Sequence, residues 1–373
     1  MKSIKMTIGI ILSIIVSQIT FAQISAEVSV TNMYDDNVNN NAEQWKSNVS
    51  MLNVTAGYLI EGETSGLHLS YDGAFNYYES VLSRTNQFHS ANITYTSLSG
   101  DEGENRFRFA GSYGYGFNRD MFTLFDHSLA TVAGEYKYFL FERLISTTGY
   151  SFRSVTFPQL NEFSYTEHAV MLKGAFAFTQ KTTAILQGDL GTKFYSANVS
   201  SNGSSMRKGM MASFLPSVTQ MTGMVKVGQG ITDQIGMSAT ARYQWNLQKQ
   251  TRYLSSDYGL ISDDELFDDH YGYEGLHTSL QYTQLLSETV IGKLTGGIQN
   301  RLYSTLSAFD RLGNFVADQR TDVRSYINFL LEKQFVELGF SLKASLDLID
   351  NSSNDAYYDY NNTAVTMEIG IPF

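Results

Sequence analysis

Apolar and polar residues alternate along most of this chain. From Ile235 to Gln248 the odd positions are apolar or aromatic, and the even positions are small or polar. From Val336 to Leu348 the even positions are apolar, and the odd ones carry glycine, serine or charged side chains. Because successive side chains of a β-strand point to opposite faces, each such segment is predicted to be a strand with one apolar and one polar face.

The alternation recurs in about sixteen segments, each long enough to cross a bilayer at a tilt. The predicted strands are 24–34, 47–60, 67–80, 87–98, 105–117, 126–140, 145–155, 164–179, 183–198, 209–231, 235–249, 270–285, 289–304, 322–332, 336–350 and 361–373. Pro216 lies inside the tenth segment, where a proline would remove a ladder hydrogen bond. Either a bulge or a later strand start near Gln220 is expected there. If this part of the chain is misread, the barrel would have about fourteen or eighteen strands.

The connections fall into a short and a long class that alternate along the chain. The short ones include 61–66, 99–104, 180–182, 232–234 and 287–288, and the long ones include 35–46, 200–208, 250–269, 306–321 and 351–360. This division is typical of outer-membrane barrels, whose long loops face outside the cell. The sequence therefore predicts an all-β fold, a transmembrane antiparallel up-and-down β-barrel without a plug domain. A soluble propeller or sandwich, which has shorter strands, is the alternative.

The N-terminus and the composition agree with export. Residues 1–22 read as a signal peptide, with Lys2 and Lys5 before a short apolar run, and the barrel domain is expected to span 23–373. Without those two lysines, 24 basic side chains remain against 37 acidic ones, a formal charge of −13. Such acidity argues against nucleic acid as a partner, and the absence of cysteine excludes disulfides and thiolate metal sites.

The last residues resemble the terminal strand of Gram-negative outer-membrane barrels of the porin-like class. Val365, Met367, Ile369 and Ile371 are apolar at every second position, and the chain ends at Phe373. The resemblance implies integral localisation in the outer membrane, among its lipid and lipopolysaccharide. It also implies that the barrel-assembly machinery reads Phe373 as an assembly signal. Porin-like barrels often trimerise, so a homo-oligomer is left open.

One feature departs from the general porins, whose long third outer loop folds inward and narrows the channel. Here the third long-side connection, near 118–125, is short, and the longest are 250–269 and 306–321. Any constriction is therefore expected to have another origin.

Charged residues on the polar strand faces are the candidate pore-lining site. By strand parity they are Arg106, Arg108, Lys137, Arg153, Lys173, Asp189, Lys193, Arg242, Lys293, Arg301, Arg324, Lys343 and Asp347. One interpretation is a water-filled lumen whose basic excess favours anions, and the other is a set of ion pairs that fills the interior. Because about sixteen strands leave a channel, the favoured function is a porin-like passive channel for small hydrophilic solutes, with no cofactor.

The outer loops support other functions. They carry many carboxylates, among them Asp35, Asp36, Asp310 and Asp355, and the tyrosines 357, 358 and 360. A solvated acidic rim is the simpler interpretation, and a divalent cation site is the alternative. A second possible function is structural or binding, with these acidic, aromatic loops in contact with surface polysaccharide or a partner. A third is the export of a polymer or lipoprotein. His270 follows Asp268 and Asp269, but no catalytic constellation or metal-ligand spacing is recognisable, so an enzyme is not expected.

Overall fold

The computed structural model describes residues 21–101, 103–178, 181–196, 217–248 and 270–373. Its strands are β1 (Phe21–Asp35), β2 (Ser47–Glu61), β3 (Ser65–Tyr78), β4 (Asn86–Ser99), β5 (Asn105–Asn118), β6 (His127–Phe141), β7 (Leu144–Thr156), β8 (Tyr165–Ala177), β9 (Thr182–Tyr195), β10 (Ser217–Gly230), β11 (Ile235–Asn246), β12 (Gly275–Ser287), β13 (Val290–Tyr303), β14 (Ala308–Phe309), β15 (Phe315–Ala317), β16 (Arg320–Phe335), β17 (Phe340–Ser353) and β18 (Tyr360–Pro372). In this described part, β14 and β15 form a separate hairpin and the other sixteen strands form one closed antiparallel barrel. The predicted fold class is confirmed.

The barrel closes where β1 pairs with β18. Their register runs from Glu27 opposite Pro372 to Asp35 opposite Ala364. At the end of this seam the N–H of Phe373 donates to the carbonyl of Ala26 at 2.7 Å. Closure gives the edge strands hydrogen-bond partners, as backbone groups in a bilayer require.

Long and short connections alternate around the barrel as predicted. The long ones are L1 (36–46), L2 (79–85), L3 (119–126), L4 (157–164), L5 (196–216), L6 (247–274), L7 (304–319) and L8 (354–359). Short 3₁₀ helices lie at Leu82–Arg84, Asp120–Phe125, Asn161–Phe163, His270–Gly272 and Val336–Leu338. Among the described residues, no helix has the length and hydropathy needed to cross a membrane.

Two strands begin several residues later than predicted. The strand expected from residue 336 begins at Phe340, because Val336–Leu338 forms a helical turn that ends at Gly339 with a φ of 68°. The strand expected from residue 270 begins at Gly275, after the turn His270–Gly272. The described part of β10 begins at Ser217. Residues 209–216 of the predicted strand, Pro216 among them, lie outside the described residues, as does most of the predicted signal peptide. The signal peptide stays a prediction.

The two faces of each strand differ as the alternation predicts. On β12, for example, Leu276 and Leu280 are exposed on the outer surface, whereas His277 between them is turned to the inside. The outer surface is consequently an apolar belt, and the polar side chains surround the interior.

Candidate functional site inside the barrel

The residues predicted to line the pore lie on the interior strand faces. Arg106 and Arg108, for example, alternate with Phe107 and Phe109, which are exposed on the outer surface. The same alternation of inward and outward positions on their own strands places these residues on the interior faces: Lys137, Arg153, Lys173, Asp189, Lys193, Arg242, Lys293, Arg301, Arg324, Lys343 and Asp347. Their role in permeation stays a prediction.

Several of these interior groups bind side chains on neighbouring strands. Lys343 donates to Glu368 at 2.8 Å, and Asp347 accepts a hydrogen bond from Asn328 at 2.6 Å. Arg108 lies 4.0 Å from Glu135, and both side chains stay largely open to solvent. The interior wall thus combines ion pairs with water-accessible charge.

Loops L3 and L4 turn into the barrel and form an apolar cluster there. Its buried members are Phe122, Phe125, Val155, Phe157, Leu160, Phe163 and Tyr165. Val155 and Tyr165 belong to the interior faces of β7 and β8, so the cluster covers the wall of these strands. The short L3 therefore reaches the interior by packing against L4.

The end of L6 also lies inside the barrel, where side-chain amides bind its backbone carbonyls. Gln220 on β10 donates to the carbonyl of His270 at 2.7 Å. Gln244 on β11 donates to the carbonyls of His270 and Tyr273 at 3.0 and 2.9 Å. Asn246 donates to the carbonyl of Tyr271 at 3.0 Å. We call residues 270–274 the L6 segment.

The buried Lys193 lies beside this segment. Lys193 is 1% exposed to solvent. Its ammonium lies 4.2 Å from the ring centre of Tyr165 and 4.8 Å from the ring centre of Tyr271. Cations are attracted to the faces of aromatic rings, more strongly when water is excluded. Lys193, which the sequence assigns to the pore lining, is instead covered by these two rings.

A polar cavity of about 300 Å³ opens between the L6 segment and β11–β13. It is lined by Arg242, Gln244, His270, Tyr273, Gly275, His277 and Gln299. Gln299 donates to the hydroxyl of Tyr273 at 2.9 Å, and Nε2 of His277 lies 2.9 Å from the hydroxyl of Tyr326. Arg242 lines the cavity with His277, and Arg301 and Arg324 are near enough to His277 to act on it electrostatically.

Sequence analysis missed several residues that shape this interior. The amides Gln220, Gln244 and Asn246 are neutral, so a search for charges passes over them. Glu167 accepts a hydrogen bond from the hydroxyl of Tyr271 at 2.7 Å. A signal was present in the alternation, because all four lie at interior positions.

Among the residues that the structure describes, the other sequence candidates are not grouped as a metal site. His89 and His168 lie on outward faces, each 2.7 Å from a tyrosine hydroxyl, of Tyr71 and Tyr150 respectively. Within the described ranges, no three histidine, aspartate or glutamate side chains are grouped as metal ligands. Asp263 to Asp269 lie outside these ranges.

The carboxylates of the outer loops that the structure describes organise loop backbone. Asp36 accepts from the N–H of Thr363 at 2.7 Å, and Asp35 from that of Asn37 at 2.8 Å. Asp310 accepts from the side chain and N–H of Asn314, and these hydrogen bonds hold the pKa of Asp310 below its ordinary value. Local hydrogen bonding therefore accounts for the positions of these three carboxylates without a bound cation.

The loop tyrosines that could stack on sugars are largely engaged. Tyr357 accepts a hydrogen bond from Asn41 at 2.8 Å. The guanidinium of Arg320 lies 3.3 Å from the ring centre of Tyr358, and Tyr360 is buried. These rings hold L8 against L1 and the barrel rim.

Solved outer-membrane barrels share this architecture over nearly the whole chain. A double variant of OccD1 (OprD) is 8% identical with a TM-score of 0.51, and the match covers 95% of this chain and 96% of that chain. Acinetobacter baumannii OccAB1 and OccAB3 are both 10% identical, with TM-scores of 0.51 and 0.50. Their matches cover 94% of this chain and 97% and 100% of theirs.

At such identities the likeness establishes the fold. No protein-family model matches the chain, and no curated protein matches it. The chain therefore has the closed sixteen-strand barrel fold of these solved proteins, and its apolar outer belt is the surface that a barrel in a bilayer requires.

Proposed function

We propose that this barrel is a passive channel for small hydrophilic solutes and that its basic interior favours anions. The observation that carries the proposal is the solvent exposure of charge inside a closed barrel. The side chains of Arg108 and Glu135 are 46% and 38% exposed, although both lie on the interior face. Water therefore reaches the interior wall, which favours an open lumen over an interior filled by ion pairs.

The cavity beside the L6 segment supports the preference for anions. Arg242 and His277 line it, and Arg301 and Arg324 contribute positive charge from the next strands. Guanidinium groups pair well with carboxylate and phosphate oxygens. A small anion would therefore meet favourable electrostatic contacts along β11–β16.

Purified protein in planar bilayers tests this function. We expect stepwise conductance and, under a potassium chloride gradient, a reversal potential that indicates chloride preference. Arg242→Gln removes one interior charge and is expected to shift the reversal potential towards cations. Arg311→Gln, at the exposed tip of L7, removes the same charge outside the barrel and is the matched control. A folded barrel without conductance would refute the channel, and cation preference would refute the role of the basic interior.

A second function, binding of a partner at the cell surface, is favoured by the β14–β15 hairpin of L7. Leu312 at its tip is 87% exposed and Phe315 is 59% exposed. The hydrogen bonds of Asp310 fix the turn that presents them. Leu312→Ser with Phe315→Ser should weaken adhesion to cells or surface polysaccharide without changing conductance. Unchanged adhesion would exclude this use of the hairpin.

A further inference from the structure

We infer that residues 270–274 form a fixed constriction of the lumen. The side chain of Tyr271 holds the segment against the interior faces of β8 and β9, and we call this contact the latch. Gly191 provides the socket for the Tyr271 hydroxyl. This inference rests on the proposed channel function and names the element that limits solute size.

The segment covers a wide part of the interior wall. It is joined to β12, its carbonyls bind amides on β11 and β10, and the Tyr271 hydroxyl reaches Glu167 on β8. These contacts span four strand-to-strand steps, about 19 Å at the usual spacing of about 4.8 Å. The segment therefore runs along the wall as an inner layer.

The Tyr271 side chain fits against β9 only because residue 191 beneath its hydroxyl is a glycine. A Cβ atom on Gly191 would lie 2.1 Å from the hydroxyl oxygen of Tyr271. Real side chains do not approach so closely, so even alanine at this position must push the ring away. Tyr271 is among the most completely buried large side chains of the described residues.

Both ends of the segment are fixed as well. Glu274 exchanges two backbone hydrogen bonds with Leu302 on β13, at 3.0 and 2.8 Å. Its carboxylate accepts from the N–H of Asn246 at 2.9 Å. Anchored at the start by Tyr271 and at the end by Glu274, the segment is held as a rigid part of the wall.

The segment joins the apolar cluster of L3 and L4 through Lys193. The Lys193 ammonium contacts the ring of Tyr165, a member of that cluster, and the ring of Tyr271. The two inner layers together line the wall from β7 to β11 at the end that carries the long loops. Among the described residues, the cavity at Arg242 and His277 lies beside these two layers.

Gly191→Ala and Tyr271→Ala test the latch in the full chain. Both should release the segment, raise single-channel conductance and admit larger neutral sugars in a liposome-swelling assay. Gly188→Ala on the same strand is the matched control, because its Cβ would meet nothing closer than 4.0 Å. The mobility of unboiled samples on gels shows whether each variant has a closed barrel.

Amide exchange over residues 270–275 gives a second measurement that does not depend on conduction. In wild type the N–H of Glu274 is bonded to Leu302 and should exchange slowly, whereas Gly191→Ala should accelerate it at least tenfold. If the wild type conducts, and Gly191→Ala and Tyr271→Ala show the same conductance as the wild type, the constriction is refuted while the channel function stands. Unchanged exchange in Gly191→Ala refutes the latch even if the wild type does not conduct.

Discussion

Arg320 and Asp322 form a buried ion pair at the outer end of β16. Nε of Arg320 donates to Oδ1 of Asp322 at 2.9 Å, and a second guanidinium nitrogen bonds the other carboxylate oxygen. The ring centres of Tyr303 and Tyr358 lie 4.3 and 3.3 Å from the guanidinium carbon, and both members of the pair are buried from water. The pair thus ties L8 to the rim formed by β13 and β16.

Arg320→Met should strongly destabilise the barrel, because it leaves the Asp322 carboxylate buried without its cation. Removing one partner of a buried pair costs about 3–5 kcal/mol. Urea unfolding in lipid vesicles measures this loss. Arg311→Met, at an exposed position of L7, should stay within about 0.5 kcal/mol of wild type and serves as the control.

Replacing both partners separates the cost of the orphaned charge from the value of the pair. Arg320→Met combined with Asp322→Leu removes both charges of the pair and should recover much of the lost stability. If the double variant is as unstable as the single one, packing and not the uncompensated carboxylate explains the effect.

The fold was predictable because the bilayer imposes a simple pattern. In β11 each outward position must be apolar, so Tyr243 and Trp245 alternate with Gln244 and Asn246 in the sequence itself. Boundaries failed where a local turn competes with that pattern. Val336 and Leu338 keep the alternation, yet Gly339 adopts a left-handed conformation and ends a helical turn there.

The site was predictable only in part, because its contacts join segments far apart in sequence. Parity alone places Arg242 and Lys193 inside. It does not reveal that Tyr271, which precedes β12, reaches back to β9 and covers Lys193 there. Nor does it reveal that Gly191 leaves room for the Tyr271 side chain. Such contacts follow from the path of L6 and not from any local pattern.

The hydroxyl of Tyr357 makes the L1–L8 contact sensitive to strong alkali. Burial, together with the negative charge of Glu43, raises the pKa of Tyr357 to about 12, against an ordinary value of 10. Between these values the unfolded state loses the proton while the folded state keeps it, so stability falls as the pH rises. Unfolding by urea at pH 9 and pH 11.5 should show a larger drop for wild type than for Tyr357→Phe. Burial also raises the pKa of Tyr358, so some dependence should remain, and equal drops in both proteins would contradict the prediction.

Cleavage after Ala22 should leave the seam between β1 and β18 complete. Phe21 and Ala22 pair with Glu61 and Ile60 at the short-turn end of β1, and Gln23 pairs with Leu59. A mature chain that begins at Gln23 therefore loses two pairs and keeps the pairing with β18. The intact mass of protein extracted from the outer membrane should correspond to residues 23–373. A mass that retains residues 1–22 would contradict the prediction.

Phe373 has two separable roles at the seam, which two variants distinguish. Its backbone exchanges hydrogen bonds with Ala26, and its side chain is exposed on the outer surface. Phe373→Ala keeps the backbone pairs and removes the ring, whereas Phe373→Tyr keeps an aromatic ring. If the assembly machinery reads the ring, Phe373→Ala should lower the amount of folded barrel in cells while Phe373→Tyr does not. Both variants should fold like wild type into liposomes that lack the machinery, since the seam is intact. Normal assembly of Phe373→Ala in cells would show that the ring is not the signal.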